Sequence, residues 1–499
     1  MSNEELKGSA PGKKSVVSNF LWRFAERCGA QIIQFLVSIV LARILAPEAY
    51  GTVALILVFA TILQVFVDSG LGNALIQKKD ADDLDFSTVF WFNVGWCLVL
   101  YAIIFFCAPL IADFYNDESL TAVVRVLCLT VVVSGLKNVQ QAYVSRTMQF
   151  KRFFWATLGG TLASAVAGIT IALLGGGVWA LVAQKLVNLT IDTTVLWFTV
   201  KWRPKWMFSW KRWRILFSFG WKLLASALLD TVYNNLRQLI IGKFYSKSDL
   251  AFFNQGKQFP DIIVTNINTS IDSVLLPTMS KVQDDPSRVK QMTRRSIMTS
   301  TYLMAPLMMG LAFCADTVVK LILTDKWLPC VPFLQIFCVT YMFYPIHTAN
   351  LNAIKAMGRS DLFLILEIVK KAVGLAVLFS TVWFGVMVLA YSLIAVSILS
   401  QIINSWPNKK LMNYSYLEQL KDILPGIGVA VLMGVCVKSV EFIPISMPLI
   451  VTLIIQILVG VAVYILLSKL FKLESFEYLF DIVKPFIKKR NKKDKGEII

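Results

Sequence analysis

Fourteen apolar stretches, each long enough to cross a hydrocarbon layer, follow one another from residue 17 to residue 470. Hydropathy, broken at clusters of charge, Pro and Gly, places them at 17–45, 50–71, 85–112, 119–139, 153–174, 178–199, 214–241, 250–279, 290–315, 331–354, 360–382, 386–406, 421–440 and 446–470. In lipid a backbone must satisfy its own hydrogen bonds, so segments of this length are helices. The expected fold is therefore an all-α polytopic membrane protein with fourteen transmembrane helices. The loops between them are all shorter than about 20 residues, too short for a soluble catalytic domain. Of the 499 residues 57% are hydrophobic and only 16% charged, which excludes a soluble enzyme.

The formal net charge of +18 first suggests nucleic acid, but the bases sort by side of the membrane. Threading the chain through fourteen crossings puts thirty-four Lys and Arg on the side of the N-terminus, six on the other, and nine within the helices. That asymmetry predicts a cytoplasmic N-terminus, and an even number of crossings returns the basic tail KKRNKKDK to the same side. The basic excess thus reads as topology and attraction to anionic membrane lipids, with no nucleic-acid partner. The eight cysteines lie in or beside apolar segments without a pairing pattern and read as packing residues.

Residues 39–51, IVLARILAPEAYG, resemble 239–251, LIIGKFYSKSDLA, at an offset of 200. Six helices per half make the halves parallel repeats. The expected organisation is a leader over 1–16, an N-lobe of six helices over 17–199, a basic linker over 200–213, a C-lobe over 214–406, two further helices over 407–470 and a basic tail over 471–499, with a central cavity between the lobes. The linker region, KWRPKWMFSWKRWR, alternates four Trp with six bases and predicts a helix lying among lipid headgroups.

Three helices carry polar seams. Arg23, Arg27, Gln31, Gln34 and Ser38 share one face of the first; Ser218, Lys222, Ser226, Asp230, Asn234 and Arg237 share one face of the seventh; Asn254, Gln258, Asp261, Thr265, Asn268 and Asp272 run along the eighth, with Lys257 beside them. A charge at the centre of a bilayer costs about 2.5–3.5 kcal/mol, so such faces are expected to line water rather than lipid. Further members are Gln64 and Asp68; Lys185, Asn188 and Asp192; Tyr341, Tyr344, His347 and Asn350; and Glu367, Lys370 and Lys371. The competing reading is structural ion pairing, as between Glu26 and its flanking arginines, Lys257 and Asp261, or Glu367 and Lys370 or Lys371. Pro260 and Pro345 are expected to bend their helices.

No phosphate-binding G-x-x-x-x-G-K-[ST] loop occurs. Asp80-Ala81-Asp82 has the look of a metal-nucleotide site but lacks an adjoining α/β domain, and reads as a solvated acidic loop. His347 is the single histidine, which rules out a metal centre built on imidazoles.

The runs 18–51, SNFLWRFAERCGAQIIQFLVSIVLARILAPEAYG, 70–78, GLGNALIQK, and 274–280, VLLPTMS, together with the basic linker, resemble the polysaccharide transporter branch of the multidrug/oligosaccharidyl-lipid/polysaccharide exporter superfamily. That branch holds the Wzx-type flippases and their teichuronic and colanic acid exporter relatives. The resemblance implies a multi-pass protein of the bacterial plasma (inner) membrane with both termini cytoplasmic. It implies alternating-access movement of undecaprenyl-diphosphate-linked oligosaccharide from the cytoplasmic to the outer leaflet, in company with polysaccharide polymerase and glycosyltransferases. Arg23 and Arg27 become phosphate ligands by their match to the first helix of the superfamily, since a guanidinium fork binds two oxygens at once. Lys222, Arg237, Lys257, Lys370 and Lys371 follow as bases by seam position, and Gln31, Gln34, Asn234 and Asn268 as sugar contacts. Asp68, Asp230, Asp261, Asp272 and Glu367 are candidates to carry coupling H+ or Na+; no other cofactor is implied. A drug or metabolite exporter of the same superfamily would favour an acidic, aromatic pocket, and a membrane glycosyltransferase or polymerase would need a larger outer loop.

Overall fold

The computed structural model describes residues 13–484 except 69, 79, 148, 150, 443–446, 482 and 483, and leaves the side chains of 13–28 and of 219 outside the description. The elements are α1 (Lys13–Ile44), α2 (Pro47–Asp68), α3 (Leu71–Gln77), α4 (Asp83–Tyr115), α5 (Ser119–Leu127), α6 (Leu129–Arg146), α7 (Lys151–Leu173), α8 (Val178–Thr199), α9 (Trp210–Phe244), α10 (Lys247–Ser280), α11 (Pro286–Phe313), α12 (Ala315–Ile322), α13 (Val331–Met342), α14 (Tyr344–Ala356), α15 (Ser360–Thr381), α16 (Val386–Met412), α17 (Tyr416–Ser439) and α18 (Leu449–Leu470), with short 3-10 turns at Asp325–Cys330, Val382–Phe384 and Val440–Phe442. No strand occurs among the described residues. The chain divides into two compact units, one up to Ala251 and one from Phe252.

A helix covers each of the fourteen predicted stretches, but they differ in kind. Among the described residues nine spans are long and apolar enough to cross a membrane, and a tenth if the two limbs of α9, bent by 49° between Trp210–Ser218 and Gly220–Phe244, count as one. The long helices outside this set are α8, α10 and α15, with α1, of which only Gly29–Ile44, itself apolar, is fully described. These four and the bent α9 are the helices to which the sequence assigns most of the seam residues. The apolar spans turn large side chains outward, Phe106 and Leu110 on α4 and Leu458, Ile465 and Leu466 on α18 among them, as lipid requires.

In the first unit α7 and α8 form a hairpin through Gly175–Gly177, and α1 lies along α7. Gly160 makes the hairpin tight: a Cβ there would stand 2.6 Å from the Asn188 carbonyl oxygen and 3.2 Å from the Asp192 Cβ. At one end Phe86, Phe90, Tyr143 and Trp202 build an aromatic core. In the second unit α11 packs chiefly on α17 and α13, α17 on α18, and α15 on α16.

The linker differs from its expectation. Residues 200–209 are not helical; they run extended across α4 and the helix begins only at Trp210. Pro204 interrupts the run, and burial outweighs amphipathicity: Trp202 is 2% exposed against Phe86, and its indole N–H donates to Asp83 at 3.2 Å. Trp206 stacks on Trp91 with ring centroids 4.1 Å apart and stays 88% exposed. Pro345 falls just inside α14, after a break at Phe343, whereas Pro260 lies within the continuous α10.

Candidate functional site

The acidic loop ahead of α4 is structural. Asp82 caps the helix and exchanges backbone and side-chain hydrogen bonds with Asp85, at 3.0 and 3.2 Å. Asp85 is fully buried and pairs with Lys78 at 2.6 Å and Arg212 at 3.3 Å, while Asp83 takes Lys205 at 2.6 Å. Burial pushes the Asp82 carboxyl up, but hydrogen bonds from Asp85 and the charges of Arg212 and Lys78 outweigh it and hold the group below its ordinary value. The predicted solvated loop is thus a clamp on the linker, because its carboxylates meet bases more than a hundred residues away.

At the far end of the same helices the offset-200 repeat is visible. One corner turns between Ile44 and Pro47, the other between Phe244 and Lys247. The two corners touch: Ser248 donates to Glu48 at 2.7 Å, and a Cβ on Gly51 would overlap the Lys247 carbonyl. Lys247 also pairs with Asp117, and Lys243 donates to the Phe114 carbonyl. Burial raises the Asp117 carboxyl, but bonds from Lys247 and Ser119 prevail and lower it.

Along the first unit's spans the polar residues fall into two sets. Arg23 and Arg27 lie on α1, and their side chains are outside the described residues. Gln31 and Gln34 stand exposed one and two turns on, as do Lys222, Asp230 and Asn234 along α9; Arg237 is half-buried. The second set is knit together. Asp68 accepts from Gln64 and Asn138, both at 3.1 Å, Asn93 donates to Asn138 at 3.3 Å, and Lys137 donates to Asp192 at 2.5 Å. Hydropathy ends the fourth helix at 139 with Lys137 at its edge, whereas α6 runs on to Arg146 and carries Lys137 nine residues inside. The apolar series Val131, Val139, Ala142 and Tyr143, all buried, was the available signal.

In the second unit Lys257, Gln258 and Asp261 are half-buried on α10, Asn268 is buried, and Asp272 is exposed. Tyr341 donates to Asp261 at 3.2 Å, Asn352 to Asp272 at 2.5 Å, and Lys370 to Glu367 at 2.6 Å; Lys371 is half-buried beside them. His347 meets Asn404 at 3.0 Å between Nδ1 and Nδ2. Below it sequence reading missed a closed cluster: Asn350 donates to Gln419 at 2.7 Å and Ser405 at 3.2 Å and accepts from Asn408 at 2.6 Å. Asn404 and Asn408, four apart on α16, were its visible trace. Among the described residues no group of three His, Cys, Asp or Glu could hold a metal ion.

The chain is similar to known proteins in sequence and in fold. The chain aligns with the teichuronic acid biosynthesis protein TuaB of Bacillus subtilis (strain 168) at 24% identity over 86% of this chain and 89% of that one. It aligns with the lipopolysaccharide biosynthesis protein WzxC of Escherichia coli (strain K12) at 23% identity over 80% and 84%. Among solved structures the fold matches the lipid II flippase MurJ in its inward closed conformation, with a TM-score of 0.73 and 14% identity over 90% of this chain and 98% of that one. It also matches an inward-facing multidrug resistance MATE family transporter of the MOP superfamily, with a TM-score of 0.62 and 13% identity over 77% and 94%. The sequence profile of the polysaccharide biosynthesis protein family covers residues 40–332, more than half the chain, and the protein belongs to that family.

Proposed function

We propose that this protein is a flippase that carries undecaprenyl-diphosphate-linked oligosaccharide repeat units from the cytoplasmic to the outer leaflet of the bacterial plasma membrane, for cell-surface polysaccharide. The observation that carries the reading is the segregation of polarity. The exposed Gln31 and Gln34 on α1 and Lys222, Asp230 and Asn234 on α9 set polar faces along two helices, while α8, α10 and α15 fall short of an unbroken apolar span. Lipid does not tolerate such faces, and a diphosphate-sugar headgroup needs them. Family membership and relatives named for teichuronic acid and lipopolysaccharide biosynthesis support the same substrate class.

In this reading Arg23 and Arg27 grip the diphosphate, with Lys222, Arg237, Lys257, Lys370 and Lys371 as further bases, and Gln31, Gln34, Asn234 and Asn268 hold the sugar. Asp68, Asp230, Asp261, Asp272 and Glu367 are the candidates to carry coupling H+ or Na+. Both termini lie in the cytoplasm, where polymerizing and glycosyltransferring partners of the same membrane hand over or receive the repeat unit. The lobes are 17–199 and 214–406, joined by 200–213, with 407–470 as two added helices.

The test is mass spectrometry of lipid-linked sugars in cells depleted of the protein, with an impermeant reagent reporting the leaflet. One undecaprenyl-diphosphate oligosaccharide should accumulate on the cytoplasmic side, and Arg23→Ala with Arg27→Ala should fail to clear it while still inserting in the membrane. An unchanged lipid pool together with new sensitivity to small cations would favour a drug exporter, the reading that the MATE-like fold supports.

A further inference from the structure

We infer that Lys185, on α8, is an anion receptor for the phosphate groups of the substrate; this deepens the flippase reading and rests on it. Three bases of the first unit's spans behave differently. Arg125 is spent on its own surroundings, donating to the Phe105 carbonyl at 3.2 Å with its guanidinium over the Phe105 ring. Lys137 is neutralised by Asp192 at 2.5 Å, the two side chains being 14% and 10% exposed. Lys185 is exposed and has no carboxylate, carbonyl or other hydrogen-bond partner among the described residues.

Position makes that isolation informative. Lys185 lies seven residues into α8, about 10 Å from the helix start. A lone ammonium at depth costs about 2.5–3.5 kcal/mol to insert. Snorkelling along the lipid face would relieve the cost, but the helical repeat argues against it. Asp192 is seven residues on, which brings it within about 20° of Lys185 around the helix axis. Asp192 looks at Lys137 on α6, and Asn188, between them, donates to Ser164 on α7 at 3.3 Å. Lys185 therefore shares the protein-facing side of α8. The helices against α8 are α7, α6, α2 and α5. The charges they bring are already engaged: Lys137 with Asp192, Asp68 with Gln64 and Asn138, Arg125 with Phe105. An inward-looking ammonium without a counter-ion among the described residues is completed by an anion from outside, and phosphate oxygens are the acceptors a –NH3+ group binds as a point charge.

The test is binding of farnesyl diphosphate to the purified full-length protein, with farnesol and phosphatidylglycerol vesicles as companion probes. Wild-type protein should bind farnesyl diphosphate well above farnesol. Lys185→Gln should weaken it about tenfold while eluting as the same monodisperse species, and Lys185→Arg should restore most of the affinity. Lys185→Gln binding farnesyl diphosphate like wild type overturns the inference. So does Lys185→Gln losing affinity only for phosphatidylglycerol, which would make Lys185 a lipid anchor. Wild-type protein that does not distinguish farnesyl diphosphate from farnesol would instead overturn the diphosphate-lipid reading on which the inference rests.

Discussion

The polar face of α9 and the polar cluster around Asn350 use similar residues for opposite ends. Lys222 and Asn234 stand exposed along one helix, whereas Asn350, Asn408, Gln419 and Ser405 come from three helices and close on each other with little or no contact with solvent. An amide inside a membrane protein is thus either consumed by packing or left available. Which it is depends on whether a neighbouring helix brings a complement within about 3 Å.

That distinction can be broken most forcefully at the closed cluster. Asn350→Leu strips Gln419, Asn408 and Ser405 of a shared partner and should cost about 3 kcal/mol, read as a large fall in the thermal midpoint of the detergent-solubilised protein. A midpoint unchanged within error would mean that the cluster is not structural. Half-buried ion pairs at the helix ends should show an intermediate effect. Asp82 and Asp117 both keep their charge to lower pH folded than unfolded, so their stabilisation is in place above about pH 4 and fades as pH falls through their lowered values. Thermal midpoints should be level from pH 7 to 5 and drop below 4, and Asp117→Asn should shrink the drop. The smallest effect belongs to the open face: Asn234→Leu should move stability by less than about 0.5 kcal/mol while slowing clearance of the lipid-linked sugar. A large loss of stability there would erase the distinction between the two regions.

Hydropathy made the helices legible because the bilayer leaves the backbone one local solution, and the residues of the polar seams could be named for the same reason. What sequence could not supply was partnership. Asp80-Ala81-Asp82 read as a solvated loop because Arg212, the partner of Asp82, is distant in the chain. Lys137 read as a helix edge because a polar pair, Lys137-Asn138, interrupts an apolar pattern that resumes beyond it. Trp202 read as an interfacial residue because composition does not say which of four tryptophans finds a pocket. Each miss is a long-range contact overriding a local preference.

The meeting of Glu48 with Ser248 has a historical side. These are the same position taken twice, 200 residues apart, and they are in contact with each other. In a symmetric dimer a residue touches its own copy only where it lies on the two-fold axis. The corner thus has, within one chain, the kind of contact that two identical halves make about a two-fold axis. Substitution at either position removes the partner of the other, so among relatives of this chain positions 48 and 248 should change together.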